Sequence, residues 1–89
     1  MRKIFKYQLK ITHEQTILMP KDAEIISVQF QRGVLCVWAI VAPSNPEKFR
    51  VFELYGTGAD FPTLGMAERK YIATVQEGPF VWHVFEPIN

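Results

Sequence analysis

The sequence predicts an all-β fold, a single small antiparallel sandwich or partly open barrel of about six to seven strands over residues 1–89. Three observations carry this expectation. Apolar and polar residues alternate with a period of two through most of the chain. Gly, Pro, Asn and Asp punctuate it at short intervals. No segment carries a long apolar stripe at helical spacing.

Phe5, Tyr7, Leu9 and Ile11 alternate with Lys6, Gln8 and Lys10, giving a first strand with one apolar face. Thr16 to Met19 is a short apolar run closed by Pro20. Between Ile25 and Gln31, Ile26, Val28 and Phe30 share one predicted face, with Ser27 and Gln29 on the other. Gln31-Arg32-Gly33 then supplies a hairpin turn, because Gly33 tolerates positive φ. Val34 to Val41 is apolar on both faces and reads as a central strand covered twice. Pro43 to Pro46 breaks it, and Phe49 to Tyr55 resumes as a strand ending in Gly56-Thr57-Gly58. The period fails from Ala59 to Arg69, where a short helical turn over 62–70 is the minority expectation. Tyr71 to Val75 and Phe80 to Phe85 close the chain as a hairpin. The expected core is Trp38, Val37, Phe30, Val28, Phe52, Val84 and Tyr71.

Composition narrows function. With 48% hydrophobic and 13% aromatic residues, the chain has the material for a core and is not expected to be disordered. Ten basic and nine acidic side chains give a net charge of +1, which disfavours bulk nucleic-acid binding. The single cysteine, Cys36, cannot form an intramolecular disulfide and excludes a Cys-rich zinc site. Lys6 and Lys10 interrupt any export signal begun by Arg2 and Lys3. The longest apolar run is about half a bilayer-spanning helix. A cytoplasmic protein with no membrane association is therefore expected.

Catalytic and metal-binding groups do not converge in the sequence. His13, His83 and Cys36 lack any metal-ligand spacing, so no metal and no cofactor is expected. A Cys36–His83 nucleophile–base pair competes with the reading of Cys36 as inert core. Glu53 is either buried, where it would act as an acid or base, or on a solvated or edge face opposite Arg50 or Lys48. The reading is of a protein that is not an enzyme.

Two surfaces remain. Lys6, Gln8 and Lys10 project from one face of the first strand, either protecting an edge from sheet-to-sheet pairing or forming an anion patch. The second surface is the glycine turn and the irregular loop after it, which contains Phe61, Leu64 and Met66. Here the expected ligand site comprises Thr57 with the backbone of Gly56 and Gly58 as donors. Lys48, Arg50 or Arg69 supply charge, and Tyr55 stacks on a base. A strand-ending turn is the competing explanation.

Several runs resemble small proteins encoded by tailed bacteriophages and prophages: Lys6 to Leu9, Glu14 to Pro20, Ile26 to Gln29, Leu35 to Ala39, Tyr55 to Gly58 and Val81 to Glu86. The resemblance covers most of the chain and is weakest from Ala59 to Arg69. It assigns no activity and no site residue. It implies a phage accessory protein in the host cytoplasm that counteracts bacterial defence. Its partner would be a small anionic nucleotide ligand or a host defence protein. A structural or assembly role in the virion, or a small enzyme, are the alternatives. A homodimer or higher homo-oligomer is also expected, through Trp82, Phe80 or Phe61.

Overall fold

The computed structural model describes residues 1–62 and 68–88. Its seven strands are β1 (Lys3–Gln8), β2 (Glu14–Pro20), β3 (Glu24–Gln31), β4 (Val34–Val41), β5 (Glu47–Gly56), β6 (Glu68–Glu77) and β7 (Phe80–Ile88). They form a three-stranded sheet in the order β1-β4-β3 and a four-stranded sheet in the order β2-β5-β7-β6, with every pairing antiparallel. The result is a sandwich with open edges, not a closed barrel. Of the minority helical turn over 62–70, residues 68–70 are strand, and residues 63–67, with Leu64 and Met66, lie outside the described residues. No helix among the described residues is long and apolar enough to cross a membrane.

The core lies between the sheets. Leu35, Val37, Ala39 and Val41 alternate along β4 and face inward with Val28. The second sheet contributes Met19, Phe52, Leu54, Val75 and Val84. The Cα envelope is only 16 Å in its thinnest direction, which leaves one interlocked layer of side chains between two sheets about 10 Å apart.

Three expectations about this core are corrected. Trp38 and Ile40 are half-buried, because the outer face of β4 is covered only in part: Cys36 on that face is buried, and Trp38 and Ile40 remain partly open. Ile26 sits at a register break in β3 and is exposed, so Ile25 and Val28 face inward in place of an unbroken 26-28-30 face. A second break at Ile72 turns Tyr71 outward, opposite Phe85, while Ala73 and Val75 face the core. Tyr71 is 56% exposed. A bulge adds one residue, and one residue inverts a face.

Turn chemistry holds the ends together. Gly33 has φ 79°, a left-handed conformation that suits glycine, and Arg32 before it has φ 52°. Gln15 closes the β1–β2 connection: its side-chain carbonyl accepts from Lys10 N at 2.8 Å and its amide donates to Lys10 O at 2.6 Å. β1 is an edge strand, and Lys6 Nζ donates to Gln31 Oε1 of β3 at 2.9 Å, across the outer face of β4.

Candidate functional site: an imidazole–hydroxyl chain beside an aromatic groove

The end of β5 and the start of β7 build a groove of about 430 Å³ lined by Gly56, Thr57, Pro79, Phe80, Val81 and Trp82. Gly56 and Trp82 are cross-strand partners. A Cβ on Gly56 would meet Trp82 Cζ3 at 3.3 Å, so the absence of a side chain lets the indole lie over the β5 backbone. Along β7, Val84 is in the core, Trp82 is half-buried and Phe80 is 62% exposed. The inner face of the strand thus runs out of the core into the groove. Phe80 and Trp82, two residues apart on one face, hold their rings with planes 21° apart and centroids 6.5 Å apart.

On the opposite face of the same strands, His83 stands between two hydroxyls. Its Nε2 is 2.8 Å from Thr57 Oγ1 and its Nδ1 is 3.0 Å from Thr74 Oγ1. Thr74 Oγ1 is in turn 2.7 Å from the Tyr71 hydroxyl. Neutral imidazole has one N–H and one acceptor nitrogen, and either tautomer satisfies both hydroxyls; in the one with the proton on Nδ1, Nδ1–H donates to Thr74 and Nε2 accepts the Thr57 proton. The bulge at Ile72 brings Tyr71 and Thr74 to the same face at a spacing of three, which an unbroken strand would forbid. Thr57 belongs both to this chain and to the groove.

The expected ligand site is only partly assembled here. Gly56 and Thr57 line the groove, and Gly58, with φ 91°, completes the turn closed by Ala59 N donating to Gly56 O. The Thr57 amide donates to Val81 O at 3.2 Å, so this donor is spent within the fold. Arg50 lies seven residues earlier, about 20 Å along the strand. Its Nε and Nη2 donate to Glu86 at 2.6 and 2.9 Å, and its Nη1 donates to Ala23 O at 2.7 Å. The Glu86 hydrogen bonds raise the guanidinium above its ordinary value. Lys48 is exposed and still farther from the turn. Among the described residues no group of three or more His, Cys, Asp or Glu is placed to hold a metal. Cys36 is buried, with its thiol 3.5 Å from Val34 O.

Arg69 and Tyr55 form a separate cluster around Glu53, which is buried despite its charge. Arg69 Nε donates to Glu53 Oε1 at 2.8 Å and Nη2 to Oε2 at 3.3 Å; the Tyr55 hydroxyl donates to Oε1 at 3.1 Å. The sequence suggested Arg50 or Lys48 opposite Glu53, and the structure supplies Arg69 instead. Tyr55 is enclosed by His13, Phe61 and Phe85, at centroid distances of 5.1, 4.8 and 5.7 Å. Its ring is packing and offers no open face to a base. Phe61 folds back onto Tyr55 and Phe85, a small second core on the outside of the four-stranded sheet.

A pH dependence follows from this cluster. Burial raises the Tyr55 hydroxyl above the ordinary 10.0, and its hydrogen bond to Glu53 adds to the rise. The folded protein keeps this proton where unfolded tyrosine has lost it. The stabilisation is therefore complete below pH 10.0 and is lost as pH rises from there through the folded value. Tyr7 is raised in the same direction by burial, with Glu47 adding. Tyr55→Phe is expected to flatten part of the alkaline decline, read from urea midpoints at about pH 9 and about pH 11. Equal slopes in variant and parent would remove Tyr55 from the account.

His83, Thr74, Tyr71, Phe80 and Trp82 were not expected together. Part of the signal was present: the two-residue turn Gly78-Pro79 fixes the hairpin register that pairs Thr74 with His83. Thr57 joins them only through the β5–β7 pairing, which no local signal specifies.

No curated protein and no solved structure matches the chain. A family model, described as a domain of unknown function (DUF7352), matches residues 1–89, and the chain belongs to that family.

Proposed function

We propose that this domain is a ligand-binding module whose groove at the β5–β7 end takes a planar ring, such as the base of a nucleotide-type ligand. The observation that supports it most is the pair of near-parallel rings, Phe80 and Trp82, walling a groove whose described lining residues are all uncharged. Aromatic platforms bind bases through their π-faces, with little regard to sequence. Lys48, Arg50 and Arg69 are not among those lining residues, so recognition rests on the ring and leaves a phosphate to solvent. In the phage setting implied by the resemblance, such capture would withdraw a nucleotide signal from host defence; the resemblance alone supplies that setting. Docking of a defence protein is a second reading with its own observation. Leu18 and Phe49, cross-strand partners on the outer face of the four-stranded sheet, are 48% and 73% exposed.

The test is a fluorescence titration in a Trp38→Phe background, which leaves Trp82 as the reporter. Adenosine and adenosine monophosphate should quench it with similar affinities and a shallow salt dependence. Phe80→Ala should weaken both by about 1–3 kcal/mol. No quenching at millimolar ligand would sink the groove as a ring site. A monophosphate that binds far more tightly, with a steep salt dependence, would restore the cationic site expected from the sequence.

A further inference from the structure

We propose that Thr57 is an acyl-accepting nucleophile, with His83 as its general base. This goes beyond ring binding, although Thr57 lines the same groove.

Three features converge on Thr57. Its hydroxyl lies within hydrogen-bond reach of His83 Nε2, the arrangement that activates a neutral alcohol. The imidazole is oriented from behind by Thr74, and Thr74 by Tyr71, so the ring is held at both nitrogens. Finally, Thr57 is exposed and lies between Gly56 and Gly58, so its hydroxyl is open to a reagent from solvent at the edge of the groove. Of the described threonines and serines, Thr57 and Thr74 are the ones bonded to an imidazole, and Thr57 alone of these lines the groove.

With an activated ester the step balances without a further reagent. Thr57 Oγ1 attacks the ester carbonyl carbon while its proton passes to the lone pair of His83 Nε2. The tetrahedral adduct collapses, the bond to the leaving oxygen breaks, and the leaving alkoxide or phenolate takes the proton from Nε2. The products are O-acyl-Thr57, the free alcohol and a neutral imidazole. The neutral Thr74 stands where hydrolytic triads place a carboxylate, so the imidazolium is stabilised less and the step is slower than in an enzyme.

The experiment exposes the protein to p-nitrophenyl acetate and follows acetylation residue by residue by peptide mass mapping. Thr16, exposed on the neighbouring strand, serves as the internal reference. Thr57 should acetylate on the order of 100-fold faster than Thr16, and His83→Gln should remove most of that advantage. Thr57→Ser should keep it. Thr74→Val should reduce it and Thr74→Ser restore it, a rescue that loss of packing would not give. Equal rates at Thr57 and Thr16 in the folded parent, or a full rate in His83→Gln, would overturn the proposal. Adenosine binding is measured separately on unmodified protein, so failure of the ring site and failure of the nucleophile give different results.

Discussion

Phe52→Ala should cost about 3–5 kcal/mol, close to the whole stability of many domains of this size. Phe52 has no exposed surface and lies in the single layer between the sheets. Its loss removes the transfer energy of a phenyl ring and leaves a void. In a body 16 Å thick there is no second layer of side chains to relax into that void. The urea midpoint should fall steeply while the dependence on denaturant keeps its slope. A loss below about 1 kcal/mol would show that the sheets close over the gap, and that the layer is softer than described.

Glu53→Ala is the second large effect, and its origin is different. The carboxylate accepts from Arg69 through both oxygens and from Tyr55, both members of the pair are nearly without exposed side-chain surface, and the Tyr55 ring packs on Phe61 and Phe85. Deleting one member of a buried pair leaves the other charge without its counter-ion, whereas replacing both by apolar groups is often tolerated. Glu53→Ala is therefore expected to lower the melting temperature by on the order of 10 °C. Glu53→Leu combined with Arg69→Met should recover most of it. If the double variant melts below the single one, burial is not what makes this charge costly. The same pairing explains why Arg69, expected to serve a ligand, serves the fold.

Much of the strand order was legible because it rests on local chemistry. Alternation along β1, the continuous apolar run of β4, the turn at Gly33 and the stop at Pro20 are each dictated by a few adjacent residues, and the structure places strands there. The closing hairpin was legible in the same local way, but with a four-residue turn from Gln76 to Pro79; the strands run on to Glu77 and Phe80, and that register pairs Thr74 with His83. Glu53 was harder. An alternating pattern gives its face, but whether that face is solvated depends on Arg69, 16 residues away, reaching Glu53, and no local signal specifies that contact.

By itself the sequence determined an all-β domain, most of its turns and the burial of Val28, Val37, Phe52 and Val84. All of these follow from short-range sterics and from a period of two. Only the tertiary structure decided which strands share a sheet, where the two register breaks fall, and which charges meet. Ile26 and Ile72 carry no signal of a bulge, because a β-branched residue suits a regular strand equally well. Yet the break at Ile72 sends Tyr71 out of the core and into hydrogen-bonding distance of Thr74. Arg50 and Glu86 lie 36 residues apart, and Thr57 and His83 lie 26 apart. Such pairs form because strands distant in sequence align in the sheet, and a charge or hydroxyl read alone carries no information about its partner.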